Sequence, residues 1–374
     1  MLRRIRVLGI MVALAGCSSS SSTGDGGSAD LSSSNADLAG VDGSFAISDG
    51  GVPEGWLYTK GNKVYQSGTA AAWVGRGVNL DDLFMCGYNY QLGNNTAEAK
   101  YQAMLTGLFK DWKPTFLRVS LGMASFPTQP SWTDNEAQYK TPMVNLIHTM
   151  TGHAGVFVLV TVRSHASMIL QDTIHGDAEA TGIPSDSTTS PDKAKYPTGT
   201  DAMYISLVDT FANDSNVLFG ITNEPGGNQR TDAVIAAAMN HAVAVIRAEE
   251  DRLGVPHHIV SVQGNGWTSS IGYYVAVAHR VPHDNVVYEV HGYPPTTASY
   301  TYADLPVIIG EYGTLDSTTQ AAFFADLESK QIPNLAWDFA PYSNCAPDLI
   351  DTTTPADLTP TDWGKIVKAY LNAH

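Results

Sequence analysis

"NVLFGITNEPGG", residues 216–227, is the stretch on which the reading turns. Residues 217–221 form a short apolar, partly β-branched run of the kind found in strands buried on both faces. Within three further positions the chain supplies Asn223, Glu224 and Pro225. A carboxylate closing a buried strand caps a helix, pairs with a cation or takes part in chemistry, and the ends of comparable runs decide among these.

Such runs recur. With 217–222 they cover 73–80, 115–121, 156–162, 258–262, 286–290, 307–310 and 334–339, which makes eight strand candidates. Helix-period segments lie between several of them: "TAEAKYQAMLTGLFKDW" (96–112), "TPMVNLIHTMTGHA" (141–154), "TDAVIAAAMNHAVAVIRAEEDRLG" (231–254) and "TQAAFFADLESKQ" (319–331). "TDWGKIVKAYLNA" (361–373) closes the chain. Apolar strands alternating with amphipathic helices imply parallel strands covered by helices. Eight units over about 320 residues fit a closed (β/α)8 TIM barrel, an α/β fold, better than an open doubly wound sheet. Ahead of the barrel, "WLYTKGNKVYQ" (56–66) alternates around Gly61-Asn62 and predicts a hairpin.

In such a barrel the chemistry sits at the C-terminal strand ends, whose loops share one mouth. The residues there are Asn79 and Asp81; Arg118; Arg163 and His165; Asn223 and Glu224; Gln263, Asn265 and Trp267; His291 and Tyr293; Glu311; and Trp337 with Asp338. The seventh run, "LPVIIGEYGT" (305–314), repeats the puzzle of the fourth by ending on Glu311. Two carboxylates facing each other across one cleft are what glycoside hydrolysis requires, and a separation of about 5 to 5.5 Å would make one a nucleophile and the other an acid/base. The nucleophile must be ionised, so it needs donors, for which Arg118 and Tyr293 are candidates. The acid must begin protonated, a role left to Glu224.

Arg118, His165, Asn223-Glu224-Pro225, His291-Gly292-Tyr293, Glu311 and Trp337, in that order, resemble glycoside hydrolase family 5, the family of many cellulases and β-mannanases. The resemblance runs from about residue 56 to the end, and its specificity lies in the ordered set. It implies Glu224 as acid/base, Glu311 as nucleophile and Asn223 bonded to the sugar 2-hydroxyl. It further implies Arg118 and Tyr293 supporting the nucleophile, His291 touching the acid/base, His165 lining the subsite beside cleavage, and Trp337 as a stacking platform. Packing in the core is the other reading of Trp337, and Trp267 is either a second platform or a packing residue. Arg163 stands where family members often carry Asp, and 166–200 is a long loop rich in Ser, Thr, Asp and Pro that is expected to build a cleft wall. These departures bear on substrate preference.

The N-terminus, "MLRRIRVLGIMVALAGCSSSSS", joins a basic segment to an apolar one too short to span a bilayer, which marks an export signal. Leu14-Ala15-Gly16-Cys17 is similar to a bacterial lipoprotein signal, in which Cys17 would be lipidated, and a plain signal cleaved nearby is the alternative. The expected organisation is a signal at 1–16, a Ser/Gly/Asp linker at 17–52 and a catalytic domain at 53–374. The protein is then exported to the cell envelope or beyond, touching membrane only through that lipid. As parallel barrels bring the first and last strands together, Cys86 and Cys345 are candidates for a disulfide in an oxidising compartment, chance pairing of leftover thiols being the alternative.

The 374 residues are 43% hydrophobic with a formal net charge of −16, which argues against nucleic acid or an anionic surface as the main partner. No metal or other cofactor is expected: the first strand offers no His-x-His, and neither a Gly-x-Ser-x-Gly elbow nor a phosphate-cradling loop occurs. The expectation is therefore a monomeric retaining glycosidase acting on a polysaccharide or oligosaccharide, foremost an endo-β-1,4-glucanase. A β-mannanase or another β-glucanase of the same family, and a non-catalytic glycan-binding barrel, are the alternatives.

Overall fold

In a computed structural model, the described residues are 52–83, 97–122, 132, 136–163, 201–225, 231–314, 319–340, 347–351 and 358–374. All lie within the compact unit Gly43–His374. Cys86, Cys345, His165 and the whole 166–200 loop fall outside them, as do the side chain of Arg163 and residues 1–51, which hold the expected signal, Cys17 and nearly all of the linker.

The predicted hairpin is present as β1 (Leu57–Lys60) and β2 (Lys63–Gln66), paired antiparallel. Its two-residue turn uses Gly61 at φ +60°, where a side chain would be strained. The eight strand candidates become β3 (Arg76–Leu80), β4 (Phe116–Gly122), β5 (Phe157–Arg163), β6 (Val217–Gly220), β7 (Val260–Gln263), β8 (Val286–Gly292), β9 (Val307–Tyr312) and β10 (Asn334–Ala336). They close a parallel barrel in the order β10-β3-β4-β5-β6-β7-β8-β9. Four strands, β3, β6, β7 and β10, are shorter than their apolar runs. Trp73 precedes β3 and packs its ring edge-on against Phe116 and Phe157, while the chain leaves the ladder after Gly220 in β6 and after Ala336 in β10.

Period two sorts the side chains. In β8, Val286, Tyr288 and Val290 join the layer between sheet and helices, whereas Val287 joins the interior layer at the barrel base. There Leu57 and Val64 of the hairpin meet Phe116, Leu159, Ile259 and Leu335, so the hairpin plugs the base. Each fully buried aliphatic side chain of this kind contributes about 1.5–3 kcal/mol. Above that floor the inward positions turn polar: Asn79, Arg118, Ser261, Gln263, Glu289 and His291 are all buried.

The helices are α1 (Ala97–Asp111), α2 (Thr141–Thr151), α3 (Asp201–Phe211), α4 (Asp232–Leu253), the single turn α5 (Thr297–Tyr300), α6 (Gln320–Lys330) and α7 (Asp362–Asn372). α4 starts where the Thr231 side chain accepts a hydrogen bond from the Val234 amide and stops at Gly254, left-handed at φ +69°. α7 starts in the same way, on Thr361 and the Gly364 amide. The helical layer departs from strict alternation between β7 and β9. Only the 3-10 turns Gly272–Val275 and Val277–His279 follow β7, and only α5 follows β8. The sequence there carries Gly264, Gly266, Gly272 and Pro282 without a sustained 3.6-residue period. α3 was not singled out from the sequence, although its buried Met203, Tyr204, Leu207, Val208 and Phe211 have helical spacing.

Candidate active site

The site grows from β4. Arg118, fully buried, points inward and joins three strands' residues at once. Its Nη1 donates to Glu311 Oε1 at 2.8 Å and to Asn79 Oδ1 at 3.0 Å, and its Nη2 donates to Asn223 Oδ1 at 2.6 Å. Its Nε lies 3.1 Å from Glu289 Oε1. Asn79 is itself fixed, because its amide donates to the carbonyls of Gly310 at 2.9 Å and Ala336 at 3.2 Å. The guanidinium fork is thus held as a rigid bracket beneath the mouth.

Glu311 receives a donor on each oxygen, Arg118 on Oε1 and the Tyr293 hydroxyl on Oε2 at 2.6 Å. Tyr293 sinks its hydroxyl into the site while 45% of the residue stays exposed, so an aromatic face borders the mouth beside Glu311. Glu224 lies four residues past β6 in a left-handed conformation, φ +51°, which a non-glycine residue adopts at a cost of about 1–3 kcal/mol. Gln263 holds it there: its Oε1 accepts the Glu224 amide at 2.7 Å and the Thr268 hydroxyl at 2.9 Å. So mounted, Glu224 meets His291 Nδ1 at 3.0 Å. One oxygen of each glutamate and a His291 nitrogen lie within 4.8 Å of one another.

His291 is bracketed by acid. Nε2 lies 2.8 Å from Glu289 Oε1, and Nδ1 faces both Glu224 and, at 3.5 Å, Glu311 Oε1. Only a doubly protonated ring offers a donor at both nitrogens. Burial disfavours that charge, but Glu311, Glu224 and Glu289 outweigh it and raise the imidazole pKa to about 9. For Glu289, burial acts upward, and Arg118, His291 and Ser261 reverse it, holding the carboxyl at about 2. Burial likewise opposes the Arg118 charge, and Glu289, Glu311 and Glu224 overcome it. The Tyr293 phenol is pushed well above its ordinary value by burial and then by Glu311, so it stays a donor.

Glu224, His291 and Glu311 form the one cluster with metal-ligand spacing among the described residues. The chemistry of that donor set disfavours a cation. Both ring nitrogens of His291 are already turned to carboxylates, and Arg118 already supplies positive charge to Glu311. Behind the rim, Asp338 is buried near Asp81 and Asp348; burial first, then those two carboxylates, hold its pKa well above the usual range.

Of the residues singled out from the sequence, Arg118, Asn223, Glu224, His291, Tyr293 and Glu311 are brought into one connected network. Trp337 lies at the end of β10 with 6% of its surface exposed, its carbonyl accepting the Trp363 indole N–H at 3.0 Å. Trp267 is partly buried at φ +59°, in a loop joined to the site through its neighbour Thr268. Asn79 and Gln263 were read as rim residues but not as members of the site. Glu289 was missed altogether. Its signal was available, since Glu289 and His291 are two apart in one strand and therefore share the inward face.

A closed parallel barrel whose rim brings two glutamates together, one held by an arginine and a tyrosine and the other by a histidine, defines a glycoside hydrolase. The family model for cellulase, glycosyl hydrolase family 5, matches residues 75–343, and the chain belongs to that family. Solved structures share its fold. The catalytic domain of an endoglucanase from Thermobifida fusca is 18% identical with a TM-score of 0.61, the match covering 85% of this chain and 97% of that one. A β-glucanase from Saccharophagus degradans in complex with cellotetraose is 15% identical at 0.60, covering 86% and 94%. A β-mannanase from Streptomyces thermolilacinus with mannohexaose is 18% identical at 0.58, covering 85% and 96%.

Proposed function

We propose that this family 5 hydrolase is a retaining endo-β-1,4-glucanase, exported and held at the bacterial envelope through a lipidated Cys17. The observation that carries the mechanism is that one carboxylate oxygen of Glu224 and one of Glu311 lie within 4.8 Å of each other. Oxygens this near suit the roughly 5–5.5 Å carboxyl separation of retaining enzymes better than the roughly 6.5–9.5 Å of inverting ones, which must admit a water between the carboxyls.

Glu311 attacks the anomeric carbon as Glu224 gives its proton to the departing glycosidic oxygen, leaving a glycosyl-enzyme and an ionised Glu224. Water then attacks that carbon, Glu224 takes its proton, and the Glu311 ester bond breaks, so configuration is kept through two inversions. The two donors on Glu311, Arg118 and Tyr293, support its role as the ionised nucleophile and leave the acid/base role to Glu224. Asn223, held by Arg118, is assigned to the sugar 2-hydroxyl from the family pattern. The exposed Tyr293 face, Trp337 and Trp267 are the candidate sugar contacts, and His165 is assigned to the adjacent subsite from the family pattern. The glucan assignment draws on the likeness to an endoglucanase and to a cellotetraose-bound β-glucanase, and the likeness to a mannanase keeps β-mannan as the second candidate.

Reducing-sugar release should be greatest on soluble cellulose in a panel with mannan, xylan and β-1,3-glucan, and NMR of the first product should show the β-anomer. An α-anomer would refute the double displacement, and preference for mannan would move the substrate class. In the second experiment, cells expressing the full chain should carry the activity in the membrane fraction. Cys17→Ser should shift it to the soluble fraction, and equal membrane retention by the variant would remove the lipid anchor.

A further inference from the structure

We infer that Glu289 is a positioning residue for the reaction: it holds His291 as a hydrogen-bond donor towards Glu224 and so sets the acid strength of Glu224. The inference rests on the reading of Glu224 as acid/base.

The fold builds a place for this third carboxylate. Glu289 lies in the middle of β8, fully buried, where no substrate atom can reach it. A β-carbon on Gly310 of the neighbouring strand would lie 1.9 Å from Glu289 Oε1, so the bare glycine provides the space that the carboxylate fills. Ser261, on the strand at its other side, donates to Oε2 at 2.6 Å. Oε1 receives His291 Nε2 at 2.8 Å and lies 3.1 Å from Arg118 Nε. A mere counterion for Arg118 would not need this arrangement, because Arg118 already bonds Glu311, Asn79 and Asn223.

The charges around the ring show what Glu289 does. His291 is faced by Glu224 from beyond β6, Glu311 from β9 and Glu289 from its own strand. Arg118 reaches it through Glu289 and Glu311, and Tyr293 through Glu311. Arg118 and His291 supply two positive charges, and Glu289 and Glu311 balance them, so the site is neutral when Glu224 carries its proton. As Glu224 releases that proton to the leaving oxygen, the Nδ1–H of His291 meets a growing negative charge, and the bond between them strengthens. Without Glu289 the ring keeps its proton at Nε2 and loses the one at Nδ1. The bare Nδ1 then accepts from the Glu224 hydroxyl, binding the proton that must leave.

The test is Glu289→Gln, which preserves shape and removes the charge. With aryl β-glycosides, kcat/KM should fall by roughly 10- to 100-fold for a phenol leaving group, which needs the acid, and by less than about 3-fold for dinitrophenol, which does not. The alkaline limb of the kcat/KM profile should move to higher pH. In nitrogen-15 spectra of histidine-labelled protein at pH 7.5, His291 should be doubly protonated in the wild type and neutral in the variant. Equal losses for both leaving groups with an unmoved alkaline limb would mark a purely structural role and overturn the inference, as would a neutral His291 in the wild type. Should Glu289→Gln not fold, Glu289→Asp, which draws the same charge back from His291 Nε2 by a methylene length, must move the limb in the same direction by a smaller amount; an unmoved limb again overturns the inference. Glu224→Gln separates the two levels. Full activity of that variant on the phenyl substrate would sink the acid/base reading itself, whereas its inactivity together with an unmoved limb in Glu289→Gln would sink only the role of Glu289.

Discussion

Glu311→Gly is expected to lower turnover on polysaccharide by on the order of 10⁴-fold or more, the range seen when an enzyme loses its nucleophile. The side chain removed is the one whose two oxygens are held by Arg118 at 2.8 Å and Tyr293 at 2.6 Å, a geometry that aims it and leaves no second carboxylate in its place. Glu224 approaches from the opposite strand end and Glu289 is buried below, so neither can substitute. Azide is small enough to enter the vacated space. With an activated aryl glycoside it should restore part of the activity and yield a glycosyl azide of opposite anomeric configuration to the normal product. Undiminished turnover without azide would exclude Glu311 as nucleophile.

Arg118→Met is expected to destabilise the fold by about 3–5 kcal/mol at neutral pH, because it strands buried carboxylates rather than merely deleting a contact. Glu289 and Glu311 are 0% and 4% exposed at their side chains, and the Oδ1 atoms of Asn79 and Asn223 lose their Arg118 donor in the same step. The effect should depend on pH in a fixed direction. The Glu289 carboxyl is held at about 2 against an ordinary 4.5, so its stabilising contribution is complete above about 4.5 and disappears as the pH falls towards 2. Part of that contribution belongs to Arg118, and the gap between wild type and variant should therefore narrow on acidification. Urea midpoints measured at pH 7 and pH 3.5 check this. A gap below about 1 kcal/mol at pH 7, or one that widens in acid, would show that Arg118 is not the principal counter-charge.

The barrel was legible because burial on both faces leaves a continuous apolar run, and eight such runs cannot be written into 374 residues by a small open sheet without a record in the spacing. The sites of Glu224 and Glu311 were legible for a related reason: a carboxylate that ends such a run contradicts its surroundings, and the ordered companions Arg118, His291 and Tyr293 give the contradiction a meaning. The region between β7 and β9 was read less well, since its 3-10 turns and single helical turn have no periodicity to report. Glu289 escaped for the opposite reason. It sits inside a strand rather than at its end, where a charged residue reads as an ordinary outward position until the barrel's register shows that it faces in.

From the order of residues alone came the strand count, the closed barrel and the two glutamates that could face a common bond. These are properties of local period and of what stands at each period's end. Tertiary structure alone decided that Asn79 would fix the Arg118 guanidinium, that Gln263 would hold Glu224 in its left-handed turn, and that His291 would lie between three carboxylates. Charge interactions act through space and grow as water is excluded, so proton affinities follow from which groups the closed barrel brings within a few ångströms.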